Sequence, residues 1–593
     1  MSKVQTSHDA SALGARRLVV IGAGPAGLTA AYEASRLGLA AVVLEKSGDV
    51  GGLARTAVYK GFLFDMGGHR FFTKAASVEK IWRDVLGANF LRRPRLSRIY
   101  YRGRFFHYPL RPWNALKGLG PWQALAIAAS YFKWQLFPYG KEDTFEQWVT
   151  NRFGRRLFRI FFQTYTEKVW GIPCSQLKAE WAAQRIKDLS LKTAVLNMFA
   201  RRATTIKTLI EEFDYPRLGP GMMWKAVRDA VVDAGGSVEL NRDVLRIEHE
   251  AGRVARVVVS DNGGSETVDG TDFVSSMPIT ELVRKLDPTA PPAVLAATRA
   301  LTYRDFLTVC LIVNRADLFP DNWIYVHDPT VQVGRIQNYR NWSPAMVPDA
   351  QKTGLGLEYF CTEGDALWRA PDDELVALAT REIAAIGLAR PDDVEDGCVV
   401  RVPKAYPIYD GAYREQLDVL RSYLSGFSNL QTIGRNGLHR YDNQDHAMLT
   451  GMLAVRNVAL GEENDVWGIN ADPEYQEEVR LEVLAPVFAK VDRFALGAAV
   501  GALAAAVLFC ASLFLVLKGG PRVGHNLRLL AQYLPGYEAS PRGAVLGIFY
   551  GLLGGFAIGW ALAVTRNAAA LFSLAVIRRR AELRVLRRVL DYL

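Results

Sequence analysis

The sequence predicts an α/β protein: a Rossmann-like dinucleotide-binding domain, an inserted domain of mixed sheet and helices, and two C-terminal transmembrane helices. Three observations support this prediction. A strand–helix–strand pattern with a G-x-G-x-x-G turn begins near residue 17, and short apolar runs of strand length recur through the middle of the chain. Two long uncharged apolar runs lie near the C-terminus.

The N-terminal unit contains two apolar runs, Leu18–Ile21 and Ala41–Leu44, separated by a glycine-rich turn and an Ala-rich helical pattern. The N–H groups at the start of that helix can bind a pyrophosphate, and an acid after the second run can accept hydrogen bonds from a ribose. The residues predicted to hold the dinucleotide are Gly22, Gly24, Pro25, Ala26, Gly27, Glu45 and Lys46.

Two further glycine-rich groups follow the N-terminal unit. Gly52, Leu53 and Arg55 belong to a G-G-x-x-R stretch, which predicts backbone packed against a flat ligand with the arginine near its phosphates. Gly67 and Gly68 directly precede His69, and this setting favours a functional histidine over a purely structural one.

The middle of the chain is predicted to be rich in strands. A β-rich return between residues 237 and 277 completes the dinucleotide-binding domain, with Val244 as its adenine-side contact. Runs at 302–314, 323–338 and 354–362 form a second sheet, and a helix at 447–460 could stabilise negative charge at its N-terminus.

Residues 100–139 interleave aromatic and basic side chains. This pattern suits a substrate with a ring and a diphosphate, a helix lying in a bilayer interface, or an aromatic core with solvated charges. The sequence leaves these three interpretations open.

The charge distribution favours a membrane partner over nucleic acid. Formal net charge is +11, of which the residues from 494 onward carry +8, and these residues are also the most apolar. The five cysteines are dispersed and lack a C-x-x-C motif, which predicts reduced thiols and no metal site.

The runs 494–517 and 543–565 are each long enough to span a bilayer. Small residues spaced four apart in the second run, at Gly551, Gly555 and Gly559, predict close helix packing within the chain or in a homo-oligomer. The arginine-rich tail 566–593 is predicted to be an interfacial helix on the cytoplasmic side. We therefore expect an integral membrane protein, in the bacterial inner membrane, with its N-terminal part in the cytoplasm.

These motifs resemble UDP-galactopyranose mutase, especially its eukaryotic form, within the FAD-dependent amine-oxidase-like group. The resemblance covers roughly residues 17–470 and is most specific at 434–457, where G-R-x-G and N-Q-D-H recur in the family's order. Other matching elements are G-G-H at 67–69, K-V-W-G-I-P at 168–173, Arg185, Tyr325 followed by Arg335, and Tyr406-Pro407.

The resemblance implies a reduced FAD cofactor and a redox-neutral interconversion of pyranose and furanose sugars, with NAD(P)H as a candidate reductant. Its implied catalytic residues are His69, Arg185 and Arg335, the two arginines holding the substrate diphosphate. The implied substrate contacts are Tyr325, Tyr406, Tyr441 and Asn443, and the implied flavin contacts include Arg435 and Gln444.

The predicted division is a flexible tail (1–15), a flavoprotein part (16–488) and a membrane part (489–593). FAD-binding segments lie at about 16–90, 215–285 and 428–475, and substrate and helical segments at about 91–214 and 286–427. The substrate is a sugar nucleotide or a polyprenyl-phosphate sugar, with a neighbouring glycosyltransferase as a candidate partner in cell-wall or polysaccharide biosynthesis.

Two other functions stay open at this point. One is a flavin oxidase or desaturase, akin to protoporphyrinogen oxidase or carotenoid desaturase, acting on a lipophilic substrate. The other is a non-catalytic flavin-binding scaffold of a polysaccharide-export complex.

Overall fold

The computed structural model describes residues 16–108, 110, 114, 118–179, 212–261, 263–470, 492–518, 529–538 and 540–590. The chain forms two compact units, divided between Val479 and Arg480. The predicted tail 1–15 and residue Arg185 lie outside the described residues.

A five-stranded parallel sheet forms the centre of the first unit. In spatial order its strands are Leu430–Thr432, Asp272–Ser275, Leu18–Ile21, Ala41–Leu44 and Ser237–Glu239. Apolar side chains cover both faces of this sheet, as expected for parallel strands connected by helices. The predicted fold class, α/β with a Rossmann-like domain, is therefore confirmed.

A smaller four-stranded sheet packs beside this domain. Its strands are Gly264–Asp269, Arg253–Asp261, Val244–Glu250 and Leu286–Asp287. The first three are antiparallel, as the alternating sequence pattern predicts, and the two-residue strand adds in parallel to the edge. Two separate antiparallel pairs accompany these sheets: the hairpin of Thr56–Tyr59 with Phe62–Asp65, and the pairing of Phe90–Pro94 with Glu212–Pro216.

A seven-stranded sheet, called here the large sheet, forms the inserted domain. Its strands are, in order, Val394–Pro407, Tyr303–Val313, Thr353–Cys361, Arg335–Asn338, Trp323–Val326, Ser97–Tyr101 and Arg104–His107. The predicted run 323–338 is two strands joined by a loop, which lets Tyr325 and Arg335 lie side by side in register. All neighbouring pairs are antiparallel except Trp323–Val326 with Ser97–Tyr101.

A layer of helices covers one part of the large sheet and is called here the helical layer. It comprises Pro121–Leu136, Phe145–Phe153, Arg155–Phe158, a π-helical turn Arg159–Gln163, and Thr164–Trp170. Thr144 caps its second helix in a capping box with Gln147, which explains why that helix begins at Phe145. Buried aromatic and aliphatic side chains join this layer to the sheet.

The remaining helices pack around the three sheets. They are Pro25–Arg36, Ala76–Leu86, Gly221–Asp233, Ile279–Arg284, Pro292–Ala300, Tyr339–Trp342, Ala366–Arg369, Asp372–Ile386, Tyr413–Leu424, Gly434–Gly437 and Gln444–Leu460. The last of these begins three residues before the predicted helix 447–460, at the N-Q-D-H motif. Glycine at 451 allows it to cross the first helix closely, because a Cβ there would lie 2.3 Å from the Ala26 carbonyl oxygen.

The second unit is a pair of helices, Arg493–Lys518 and Pro541–Leu590. Both contain segments long and apolar enough to cross a membrane, Arg493–Lys518 and Pro541–Ala568. The second helix continues past residue 566 to Leu590, so the tail does not begin a separate helix as predicted.

The small residues of the second unit pack within the chain. A Cβ on Gly551 would lie 2.4 Å from the Ala505 nitrogen, and one on Gly555 would lie 2.8 Å from the Gly501 Cα. Backbone contact of this kind is the packing mode of small-xxx-small helix pairs. Of the two alternatives that the sequence left open, the structure therefore shows the intrachain one.

We predict that Gly555→Leu separates the two helices, whereas Gly554→Leu, which points into open space, leaves them paired. The readout is oxidative cross-linking of Leu508→Cys with Gly547→Cys, since a Cβ on Gly547 would lie 3.3 Å from that of Leu508. In a Cys510→Ser background, cross-linking should fall by about tenfold with Gly555→Leu. Equal cross-linking in both leucine variants would contradict the packing.

Candidate active site

Two glycine-rich loops form a cradle at the start of the Pro25–Arg36 helix. That helix begins after Gly24 without a side-chain cap, so its first N–H groups are not satisfied by a capping side chain. A Cβ on Gly24 would lie 3.8 Å from the Gly52 Cα, and Gly52 has a φ of +53°. The two backbones thus meet beside a helix N-terminus, an arrangement that suits a pyrophosphate.

The other glycines of the first motif are explained by packing. A Cβ on Gly27 would lie 1.9 Å from the Gly22 carbonyl oxygen, and one on Gly22 would lie 2.4 Å from Ser276 Oγ. Gly22 also has a φ of +97°. These two positions therefore require glycine for the strand–turn–helix geometry itself.

Glu45 organises the chain next to the cradle. Its buried carboxylate accepts hydrogen bonds from the Ala23 N–H at 2.7 Å and from the Ser47 N–H and hydroxyl at 2.9 and 2.7 Å. Its lone pairs are not exhausted by these bonds. Lys46, next to it, is exposed, and Arg55 donates to the Gly52 carbonyl at 3.2 Å.

Val244 lies at the beginning of its strand with its side chain buried in an apolar cluster. The turn that precedes it is hydrogen-bonded to Glu45, because the Arg242 N–H donates to the Glu45 carbonyl at 2.8 Å. Its role as an adenine contact stays a prediction, one that its backbone rather than its side chain would serve.

The G-G-H segment packs against the large sheet. A Cβ on Gly68 would lie 2.9 Å from Gln337 Nε2, and one on Gly67 would lie 3.6 Å from His69 Nε2 and 3.8 Å from Arg335 Nη2. His69 and Arg335 therefore both lie next to Gly67.

His69 is neutral in this environment. Burial lowers its pKa to about 4, although the Met66 carbonyl acts in the opposite direction, and the nearby Arg435 and Arg335 lower it further. The carbonyl of Met66, 2.8 Å from Nε2, and the carbonyl of Leu53 both face the ring as hydrogen-bond acceptors.

Arg335 is held in a bidentate ion pair with Glu358, which lies opposite it on the neighbouring strand. Its Nε donates to one Glu358 oxygen at 2.8 Å and its Nη2 to the other. Glu358 is fully buried and also accepts from Gln337 Nε2 at 2.8 Å. Burial alone would lower the pKa of Arg335, but the Glu358 charge raises it above its ordinary value.

Tyrosines surround this ion pair. The electrostatic neighbours of the Tyr165 hydroxyl include Arg335, Tyr325, Tyr406 and Glu358. The ring of Tyr406 stacks on Tyr441 at 5.5 Å, and Tyr165 lies edge-on to Tyr325 at 5.4 Å. Burial raises the pKa of Tyr406 to about 12 and also raises that of Tyr165, so both hydroxyls stay protonated at neutral pH.

Arg435 lies next to the Tyr441 ring of the tyrosine cluster. Its guanidinium donates to the carbonyls of Asp442 and Ala405 and lies 4.6 Å from the centre of the Tyr441 ring. Asn443 precedes the helix Gln444–Leu460, whose first turn has no side-chain cap. Gln444 is fixed by accepting the Trp224 indole N–H at 3.1 Å.

Sequence reasoning missed Tyr165, Glu358 and His327. Tyr165 comes from the helical layer, and its ring is stacked on that of His327 at 4.9 Å. Glu358 carried a readable signal, because an acid in the middle of an apolar strand must be paired when it is buried. Lys168, in the K-V-W-G-I-P stretch, donates to the backbone carbonyls of Val326, Asp328 and Val333, so it ties this helix to the sheet.

Of the predicted site residues, His69, Arg335, Tyr325, Tyr406 and Tyr441 lie within or beside one cluster. Arg185, the second predicted diphosphate ligand, lies outside the described residues. Its role stays a prediction.

The profile of the flavin-containing amine oxidoreductases matches residues 25–459, which include the cradle from Pro25 onward, His69 and the tyrosine cluster. The chain belongs to this family. The cradle and Glu45 fit the phosphates and ribose of FAD, so family and geometry agree on the cofactor. The family does not identify a reductant.

Solved structures with the same fold include a sugar mutase and oxidases. Reduced UDP-galactopyranose mutase superposes with a TM-score of 0.68 at 22% identity, covering 78% of this chain and 99% of that one. A putative protoporphyrinogen oxidase from Exiguobacterium sp. 255-15 gives 0.59 at 17% identity, covering 76% and 99%. At these identities the likeness shows the fold alone.

Among curated proteins, protoporphyrinogen oxidase 2 of Arabidopsis thaliana is 39% identical over 78 residues. This match covers 13% of the chain and 15% of that protein. The chain is therefore a flavin-dependent enzyme of the amine oxidase family whose fold serves both mutases and oxidases.

We predict that Arg335→Ala lowers the free energy of unfolding of the flavoprotein part by about 3–5 kcal/mol, because it leaves the Glu358 carboxylate buried without its cation. Arg335→Ala with Glu358→Gln should recover most of that loss. Arg92→Ala, which removes the ion pairs of an exposed arginine with Glu212 and Asp214, is the control and should cost below about 1 kcal/mol. Denaturant unfolding followed by tryptophan fluorescence measures all three; similar values for Arg335→Ala and Arg92→Ala would contradict the assignment.

We also predict that stability falls in acid because of buried histidines. Burial lowers the pKa of His327 to about 3, below its unfolded value near 6.5, so the unfolded chain binds more protons between these values. Stability from this group is complete above about pH 6.5 and is lost as the pH falls towards 3. In His327→Phe, which keeps a ring against Tyr165, the loss from pH 7 to 5 should be about 2 kcal/mol smaller than in the parent protein. An unchanged pH profile would contradict this.

Proposed function

We propose that the protein is a membrane-anchored, FAD-dependent sugar mutase that interconverts pyranose and furanose forms of a nucleotide- or polyprenyl-phosphate-linked sugar. The observation that carries the proposal is the ring of tyrosine hydroxyls around the buried Arg335–Glu358 pair, beside His69. These polar groups suit a sugar phosphate better than a lipophilic ring system. The superposition on reduced UDP-galactopyranose mutase supports it.

The chain's own residues would bind and orient the substrate. The protonated hydroxyls of Tyr165 and Tyr406 are donors for phosphate or sugar oxygens. Arg335, fixed on one edge by Glu358, keeps N–H groups for an anion and holds them in a set direction. Bound in its reduced form, flavin would supply the nucleophile for the anomeric carbon without net electron transfer.

His69 and the helix Gln444–Leu460 would act on the other side of the reacting centre. His69 would face the substrate as an uncharged ring beside Arg335. The uncapped N-terminus of the helix would favour negative charge near it. Arg185 would provide the second guanidinium for the diphosphate.

The two apolar C-terminal helices support the membrane part of the proposal. The flavoprotein unit would then lie on the cytoplasmic face of a bacterial inner membrane and pass its product to a neighbouring glycosyltransferase. NAD(P)H would be the reductant.

An oxidase acting on a lipophilic substrate is the second candidate. The local match to a plant protoporphyrinogen oxidase and the shared fold of a putative bacterial one favour it. It would leave the buried ion pair and the tyrosine hydroxyls without a polar ligand.

Purified, dithionite-reduced protein incubated with UDP-galactopyranose or a polyprenyl-phosphate sugar separates the two. A mutase yields furanose product with no net electron consumption, and cyanoborohydride trapping followed by mass spectrometry detects a flavin–sugar adduct. The mutase proposal would be contradicted if the protein turned over only a lipophilic electron donor, with oxygen or a quinone as the acceptor.

Tyr165→Phe tests the tyrosine cluster in the same assay. Removing the hydroxyl while keeping the ring should raise KM about tenfold, the value of one hydrogen bond to a charged ligand. Tyr423→Phe, on the helix Tyr413–Leu424, is the control and should behave like the parent protein. Unchanged kinetics in Tyr165→Phe would show that this hydroxyl does not bind the substrate.

A further inference from the structure

The helix Pro121–Leu136 presents an exposed apolar stripe on the outside of the helical layer. Trp122, Leu125, Phe132 and Leu136 follow one another at helical spacing, with Phe137 directly after the helix. Exposure reaches 83% for Trp122, 65% for Phe132 and 74% for Leu136. Large apolar side chains this exposed and contiguous usually mark a contact surface.

The opposite face of this helix is firmly packed. Ile127 is buried, and Gly154 is close enough that a Cβ there would lie 2.9 Å from the Tyr131 backbone. At the C-terminal end, Gln135 Nε2 donates to the Asn151 carbonyl at 2.8 Å. The stripe is therefore a fixed feature of the surface.

The charged residue of this helix, and the charged residue hydrogen-bonded to its first turn, are basic. The helix contains no Asp or Glu, and Lys133 is exposed in its last turn. At its first turn, the exposed Arg156 donates to Gln123 Oε1 at 2.9 and 2.7 Å, so this charge lies next to Trp122. The rings of Trp134 and Tyr139 lie 4.6 Å apart at the other end. Leu, Phe and Trp bordered by cations characterise helices that lie in a bilayer interface.

We infer that this helix lies in the headgroup region of a lipid bilayer and gives the flavoprotein unit a membrane contact of its own. The inference depends on the proposed membrane anchor, because two spans in the same chain would keep the unit near the bilayer and make a modest interfacial affinity sufficient. Pairing with a second copy fits less well, since it would bring the same cations together without acids on this helix to oppose them.

This contact would place the candidate site near lipid phosphates. The same helical layer continues through Arg155–Phe158 and Arg159–Gln163 into the helix that carries Tyr165. A layer docked on the membrane would thus hold one wall of the site beside the headgroups, where a polyprenyl-phosphate sugar is found.

The test uses the full chain in vesicles of phosphatidylglycerol and phosphatidylethanolamine. In a Cys510→Ser background, Phe132→Cys carries an environment-sensitive fluorophore, and nitroxide lipids labelled near the headgroup act as quenchers. Val232→Cys, on an exposed position of the helix Gly221–Asp233, is the matched control. Quenching at 132 should be at least about threefold stronger than at 232, and Trp122→Ser with Leu136→Ser should reduce it by about half.

Vesicle flotation separates this inference from the proposed anchor. A chain that floats but shows equal, weak quenching at both positions overturns the inference and leaves the anchor standing. A blue-shifted fluorophore at 132 without nitroxide quenching indicates a protein partner and also overturns it. A chain that does not float overturns the anchor and the inference together.

Discussion

The buried pair of Arg335 and Glu358 is the constraint on which the candidate site depends. Neither charge could stay in the large sheet without the other, and their positions opposite each other on adjacent strands fix the guanidinium plane. Because the pair is neutral as a unit, it orients an anion more than it attracts one. Net attraction for a diphosphate must come from cations outside the pair, and this is the physical reason why the predicted second arginine matters.

The features that the sequence predicted correctly are each formed within one continuous segment of the chain. The strand–turn–helix unit, the strands of the small sheet and the two apolar helices each follow from periodicity or run length within one segment. The site was predictable only where a family motif carried it, as at His69 and Tyr406. Tyr165 and Glu358 could not be assigned to it, since the helical layer and the third strand of the large sheet meet there only after folding.

The glycines show that not every glycine of a nucleotide-binding motif is there to contact a ligand. Gly27 and Gly68 are both explained by contacts within the protein, with the Gly22 carbonyl and with Gln337. Gly24 and Gly52 are different, because their close approach leaves a side-chain-free surface beside an uncapped helix N-terminus. The cofactor argument therefore depends on this second pair, and glycine count contributes little to it.

The same reasoning limits how the second unit can associate. Gly501, Gly551 and Gly555 are in backbone contact inside the helix pair. The backbone surface at these glycines is therefore not available to another copy. Gly554 faces open space, and the exposed Ala498, Ala502 and Ala506 are spaced four apart on the first helix. A homo-oligomer would have to use a different surface, and exposed apolar side chains on this unit are what lipid-facing helices require. If the apolar stripe of the flavoprotein unit is also covered by lipid, both of these exposed apolar surfaces serve the membrane and neither calls for a protein partner.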